Sequence, residues 1–368
     1  QLILDASSLN FQIDFKDYCY DQKPESKVIE YIDIDRIAAF DLEKGPLLRA
    51  ALLRVSDSSY VFYYNMHHII SDGWSMNVLS RDVLAYYVAF LNSVEVLLPS
   101  LRIQYKDYSF WQLSQLNQEN YNLDRSYWLE QLSGDLPVLD LPSFKNRPSL
   151  KTYRGRRLQC YLPSSHLSGL KDIGQTHGGT LFMGIIASLN ALFYRYSGES
   201  DIVLGTPVAG RYHIDLEDQI GFYVNTLVLR NNVNGAESFN ILFDRVKETV
   251  LSAYAHQYYP FDRLVDDLGI RRDVSRSVIF DVIVGIQNIE EAKNTQWKFS
   301  GDIEKIEDLG SSVSKFDISI DFQELGDALS LVVEFNEDIY DKATIERFMR
   351  HYRQLLDVLI TNPDKSLD

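Results

Sequence analysis

The apolar positions of this chain change period from one stretch to the next. Residues 11–15, 48–55 and 60–68 read as strands. Within 60–68 successive side chains alternate, so Tyr60, Phe62, Tyr64, Met66 and His68 fall on one face and Val61, Tyr63, Asn65 and His67 on the other. Directly afterwards Met76, Leu79, Val83, Leu84 and Tyr87 recur at helical spacing. Strands and helix together predict an α/β lobe. Leu97, Leu98, Pro99 and Ser100 interrupt the pattern, and this punctuation sets the expected boundary between an N-terminal lobe over 1–100 and a C-terminal lobe over 101–368.

Beyond the boundary, Tyr108, Trp111 and Leu116, then Trp128, Leu129 and Leu132, are spaced as helices, and residues 142–148 form a turn-rich connector. Strands are expected at 157–162 and 202–205 around a helix at 180–196, whose apolar residues are Leu181, Phe182, Ile185, Ile186, Leu189 and Leu192. Residues 279–287 read as a buried strand. Over 315–322, Phe316, Ile318, Ile320 and Phe322 alternate with Asp317, Ser319 and Asp321, which predicts a half-exposed strand. A last helix over 342–359 packs through Ile345, Phe348, Met349, Tyr352, Leu355, Leu356 and Leu359. No repeat of fixed period is evident.

A length of 368 residues allows two domains, because single cores stop growing near ~250–300 residues. With 45% hydrophobic and 24% charged residues the composition is that of a soluble globular protein. No apolar run approaches the ~18 residues of a membrane span. Residues 1–10 have neither a basic start nor a long apolar core, so this stretch shows no secretory signal, and the low cysteine count fits the reducing cytoplasm expected for this chain. Cys19 and Cys160 are too few for a disulfide framework or a cysteine-rich metal site. The net charge of −16 opposes a broad phosphate-binding surface, so nucleic acid is not an expected partner.

Candidate chemistry concentrates at residues 60–75, YVFYYNMHHIISDGWS, where an aromatic strand delivers two adjacent histidines into a turn ending in Asp72 and Gly73. Alternation sends His67 and His68 to opposite sides, so one is expected to act in a cavity while the other packs; alternation leaves open which. Imidazole suits proton transfer near neutral pH. A glycine at 73 permits a backbone conformation or a close approach that a side chain forbids. A metal is not expected, because the histidines diverge and no third ligand stands at metal spacing from His67, His68 and Asp72. A serine triad is disfavoured, since no glycine-flanked nucleophile motif occurs.

HHIISDG, from His67 to Gly73, resembles the HHxxxDG signature of the condensation domains of nonribosomal peptide synthetases, relatives of chloramphenicol and dihydrolipoyl acetyltransferases. Further segments resemble that family's other blocks in order: FDLEKGPLLRAALLR from Phe40, YKDYSFWQ from Tyr105, YRGRR from Tyr153, GTPVAGR from Gly205 and IGFYVNTLVLR from Ile220. HQYYPFDRLVDDL from His256, RRDVSRSVIFDVIVGIQN from Arg271 and KFDISIDF from Lys315 complete the series. The family's arginine-rich N-terminal block is not found, and the chain opens with QLILD, so it is read as lacking the domain's first segment.

The resemblance implies two chloramphenicol acetyltransferase-like lobes forming a V around a central tunnel. It implies peptide-bond formation, in which an acyl or peptidyl group passes from a donor carrier-protein thioester to the amine of an acceptor aminoacyl thioester. The implied partners are donor and acceptor peptidyl carrier proteins and adjacent synthetase domains; no cofactor binds directly, the substrates riding on phosphopantetheine. His68 matches the second motif histidine and is expected to act as a base or as an acceptor that orients the amine. Asp72 either orients His68 or pairs structurally with a distant arginine, the second reading being favoured, with Arg211 as the candidate. Gly73 either offers its N–H to an oxyanion or serves the turn. Asn225, Ser311 and Ser312 resemble tunnel residues. Arg154, Arg156 and Arg157, with Arg271, Arg272 and Arg276, either meet an acidic carrier surface or form a solvated face. An epimerisation domain carrying the same motif and a noncatalytic docking module are the alternatives; heterocyclisation domains carry aspartates in place of the motif.

Overall fold

The computed structural model describes residues 11–116, 119–270, 273–287 and 305–368. They form two compact units. The first holds the chain up to Leu113 together with Arg211–Val224; the second holds Ser114–Gly210 and Asn225–Asp368. The segment 211–224, expected in the C-terminal lobe, therefore belongs to the first unit.

The first unit is built on three strands, β1 (Ile13–Asp17), β2 (Leu48–Arg54) and β3 (Tyr60–Met66), in the order β1-β2-β3. β1 runs parallel to β2, and β3 runs antiparallel to it with Leu48 opposite Met66. One sheet face carries Arg49, Ala51 and Leu53 from β2 opposite Asn65, Tyr63 and Val61 from β3. Against that face packs α1 (Pro24–Ile37), which opens on a proline whose missing N–H costs nothing there and presents Val28, Tyr31 and Ile32 at helical spacing. α2 (Gly73–Leu91) follows β3 after a short turn. Its buried side is Ser75, Val78 and Ala89. Leu84 and Tyr87, two of the apolar residues at helical spacing, are each 61% exposed.

The second unit holds a seven-stranded mixed sheet in the order β6-β5-β7-β9-β10-β4-β8 among the described residues. The strands are β4 (Arg154–Leu162), β5 (Asp201–Val208), β6 (Asn225–Asn232), β7 (Val282–Gln287), β8 (Glu307–Val313), β9 (Ile318–Leu325) and β10 (Ala328–Asn336). The pairs β5–β7 and β7–β9 are parallel and the rest antiparallel. The expected central helix is Leu181–Ser197, capped by the Thr180 side chain on the Met183 N–H and buried from Leu181 to Phe193. The expected half-exposed strand is β9, which lies between β7 and β10 and alternates buried Ile318, Ile320 and Phe322 with half-buried Ser319 and Asp321; Asp317 alone departs from the expectation. Asp317, just before the strand, is only 2% exposed and ion-paired with Arg147.

Candidate functional site

β3 ends at Met66, so the two histidines stand just beyond the strand rather than within it. The His67 N–H still bonds to the Leu47 carbonyl at 2.9 Å, extending the ladder by one step. His68–Ile70 then form a single 3-10 turn with extended His67 as its cap: the His67 Nδ1 accepts the Ile69 N–H at 3.1 Å. An acceptor Nδ1 places the ring proton of a neutral His67 on Nε2. His68 is held in the opposite way. Its Nδ1 lies 2.6 Å from the Ser71 carbonyl oxygen, a partner that only accepts, so Nδ1 carries a proton and the lone pair of a neutral His68 is on Nε2. The ring of Phe222 stands edge-on to His68 at 5.2 Å and is 40% exposed.

Asp72 caps α2 and gathers a buried network. Its Oδ1 accepts the Ser75 N–H at 2.8 Å, the Ser75 hydroxyl at 2.7 Å and an Arg211 Nη2–H at 3.0 Å; its Oδ2 accepts the Tyr223 N–H at 3.0 Å. Side-chain exposure is 4% for Asp72 and 1% for Arg211. Arg211 Nη1 is directed at the carbonyls of Leu216 and Gln219, while the guanidinium lies 4.3 Å from the Tyr223 ring centroid. Burial by itself raises the Asp72 carboxyl, but hydrogen bonds from Ser75 and Tyr223 and the charge of Arg211 hold it below the usual carboxylate range. Asp72 and Arg211 are thus brought together, and the network ties the segment 211–224 to the start of α2. Further ties run from Trp74 Nε1–H to the Glu217 carbonyl at 2.8 Å and from the Tyr105 hydroxyl to the Phe222 carbonyl at 3.0 Å.

Gly73 is the first residue of α2 and has no positive φ. Among the described residues a Cβ built on it would meet nothing within 4 Å, so neither a left-handed turn nor crowding by those residues explains the glycine.

Behind the histidine turn, Arg49 donates to the Asp35 carboxylate at 2.6 Å, and Asp35 also accepts from Tyr63 at 3.0 Å and Asn65 at 2.8 Å. Burial and the hydrogen bond to Asp35 push the Tyr63 hydroxyl up to about 12, so it remains a donor. Sequence reasoning missed Ser75, Tyr223, Phe222 and Arg49. Ser75 had a signal, an Asp-x-x-Ser spacing at a helix start; Tyr223 and Phe222 lie within the IGFYVNT block without any local cue.

The other candidates lie in the second unit. Asn225 opens β6 and donates to the carbonyls of Gln257 and Tyr259 at 2.9 and 2.8 Å, while its oxygen accepts the Phe261 N–H at 3.0 Å. It clamps the loop that begins HQYYPF. Ser311 and Ser312 sit on β8, the last strand of the sheet among the described residues, opposite Arg156 and Gly155, with Ser311 exposed and Ser312 half-buried. Arg156 is ion-paired with Asp308 and Glu337, Arg154 with Glu337 and Asp338, and Arg276 with Asp281 and Asp140. These arginines are matched by neighbouring carboxylates rather than left as open positive charge. Arg271 and Arg272 lie outside the described residues. Among the described residues no cluster of His, Cys, Asp or Glu is arranged to hold a metal ion, and no helix is long and apolar enough to cross a membrane.

The fold is a mixed α/β architecture in which the histidine turn joins β3 to α2. The family model for the condensation domain matches residues 1–368. The chain is 39% identical over 334 residues to a linear gramicidin synthase of Brevibacillus parabrevis, covering 90% of this chain and 6% of that protein. It is 38% identical over 335 residues to a plipastatin synthase of Bacillus subtilis, covering 90% of this chain and 13% of that protein. The chain thus spans a small fraction of the curated relatives it matches. Among solved structures, the X-domain from teicoplanin biosynthesis superposes with a TM-score of 0.82 at 21% identity, covering 100% of this chain and 82% of that one. The starter condensation domain of rhizomide synthetase superposes with a TM-score of 0.76 at 19% identity, covering 97% and 79%. This chain belongs to the condensation-domain family of nonribosomal peptide synthetases.

Proposed function

We propose that this chain forms amide bonds, joining the acyl or peptidyl group of a donor carrier-protein thioester to the amine of an acceptor aminoacyl thioester, and that His68 serves the amine. The observation that carries the reading is the commitment of the His68 Nδ1–H to the Ser71 carbonyl, which leaves Nε2 as the acceptor. An α-amine has a pKa near ~7.7–8.0, so a useful fraction is already neutral at cytoplasmic pH and the larger task is to aim it. Nε2 accepts an amine N–H, orienting the nitrogen lone pair toward the thioester carbon. As the C–N bond forms, Nε2 takes the proton; as the C–S bond breaks, that proton goes to the departing phosphopantetheine sulfur.

In this reading Asp72 and Arg211 are structural: they hold the segment 211–224 and with it the Phe222 ring beside His68. Gly73, at the first position of α2, is the backbone N–H offered to the developing oxyanion, and the open space around it leaves room for substrate. Donor and acceptor peptidyl carrier proteins and the adjacent synthetase domains are the partners, working in the cytoplasm. Asn225, Ser311 and Ser312 are assigned to the substrate path, Asn225 through the loop it clamps.

Intact-mass detection of the amide product, with both substrates loaded on their carriers and His68→Ala run beside the wild-type chain in its parent protein, tests the proposal. Turnover is expected to fall ~10²–10⁴-fold in the variant. An intact rate would remove His68 from the mechanism. Carrier binding without product in the wild type would favour a docking module, and stereochemical change without bond formation an epimerisation domain.

A further inference from the structure

The ring of His67, which caps the turn carrying His68, is itself fixed by a chain of contacts within the first unit. Phe40 meets His67 edge to face at 5.8 Å with an interplanar angle of 85°. On Phe40 lies the Arg49 guanidinium, 3.8 Å from the ring centroid. Arg49 is in turn held by the Asp35 carboxylate at 2.6 Å, and its Nη groups donate to the carbonyls of Asp35, Ala38 and Ala39 at 2.9, 3.0 and 3.3 Å. One guanidinium thus pins the backbone that leads into Phe40 and also lies over the Phe40 ring. A lysine supplies the charge but neither the fork nor the plane.

The consequence for chemistry follows from tautomers. His67 caps the turn only while its Nδ1 is unprotonated and aimed at the Ile69 N–H. If the imidazole rotates or changes tautomer, that bond is lost, and the backbone from His68 to Ser71 loosens with it. The Ser71 carbonyl is what keeps the proton on the His68 Nδ1. We propose that Phe40 and Arg49 are positioning residues for the reacting histidine, acting through the tautomer and orientation of His67. Both come from the block FDLEKGPLLRAALLR. The inference rests on the reading of His68 given above.

The test uses Phe40→Leu, Phe40→Tyr and Arg49→Lys in the full chain, with ¹⁵N NMR of the imidazoles and steady-state kinetics on carrier-bound substrates. In the wild type and in Phe40→Tyr, His67 is expected to show an acceptor Nδ1 and His68 a protonated one. In Phe40→Leu and Arg49→Lys the His67 tautomers should mix, with kcat falling roughly 10- to 100-fold at unchanged KM, the scale of a small misplacement of a reacting group. Wild-type tautomers with wild-type kcat in Phe40→Leu would overturn the inference. So would a drop that Phe40→Tyr does not rescue, or one matched by an equal loss of folded protein in thermal unfolding. A fully active His68→Ala sinks the functional reading separately, while the NMR result still decides whether Phe40 and Arg49 govern His67.

Discussion

Asp72→Ala separates a structural carboxylate from a catalytic one. The Asp72 side chain accepts four hydrogen bonds, two of them from the backbone N–H groups of Ser75 and Tyr223, and neutralises an arginine whose side chain is 1% exposed. Alanine leaves that guanidinium with carbonyls for company but no counter-charge, and removes the cap of α2. Breaking a buried pair from one side costs ~3–5 kcal/mol and losing a helix cap ~1 kcal/mol. The two terms share Oδ1, so they overlap rather than add. A loss of ~3–5 kcal/mol is a large part of a domain stability of ~5–15 kcal/mol.

Two compact units do not have to unfold together, so the readout should be local. Amide exchange at Tyr223 and Ser75 reports opening of the network itself, and a destabilisation of about 4 kcal/mol would speed it by about 10³-fold, at ~1.4 kcal/mol per decade, when local opening limits exchange. Arg211→Leu placed in the Asp72→Ala background should cost less than in the wild type, by ~0.5–3 kcal/mol of coupling. The pH dependence has a definite sign. The Asp72 carboxyl is lowered on folding, so its contribution is fully present above the unfolded value of ~3.9 and is lost as pH falls through the folded value. The Asp72→Asn chain should therefore show a shallower acid-unfolding curve. A folded Asp72→Ala chain with wild-type exchange at Tyr223 and no turnover would refute the reasoning and place Asp72 in the chemistry.

Two further substitutions test neighbouring glycines that do opposite things. Gly221→Ala would put a Cβ 2.7 Å from the Tyr223 ring and closer still to Tyr105, so it should destabilise the first unit by ~1–3 kcal/mol, seen as faster exchange at Tyr223. Gly73→Ala has open space and a helical first-turn position, so stability should hold or rise by ~0.4–1 kcal/mol in urea unfolding. If turnover then falls, the position serves substrate approach; a clear loss of stability would refute the open-space reading.

Most regular elements were legible because period and burial coincide. The helix Leu181–Ser197 reads from its apolar residues alone, since Leu181, Phe182, Ile185, Ile186, Leu189 and Leu192 all meet the core of the second unit. α2 misled for the opposite reason. Its apolar residues Leu84 and Tyr87 face outward while Ser75, a polar residue, is fully buried because the Asp72 carboxylate and the Gly221 backbone satisfy its hydroxyl. Asp317 misled likewise, a buried charge made tolerable by Arg147. Asp72 lies within the local window of Ser75, but Gly221 and Arg147 are far away in sequence from the groups they satisfy, and no window of local periodicity contains them.

The same distance explains what the motif concealed. HHIISDG identifies its own residues, yet what it needs arrives from both directions along the chain: Asp35, Phe40 and Arg49 from before it, Arg211, Phe222 and Tyr223 from more than a hundred residues after. The two histidines receive opposite hydrogen bonds, one accepting from Ile69 and the other donating to Ser71, and so opposite tautomers. Adjacent identical side chains thereby acquire different chemistry from the backbone groups of a single 3-10 turn. Strand alternation predicted that the two would differ in role but had no means of assigning the roles, because the strand ends at Met66 and the turn, not the pleat, sets where each ring nitrogen points.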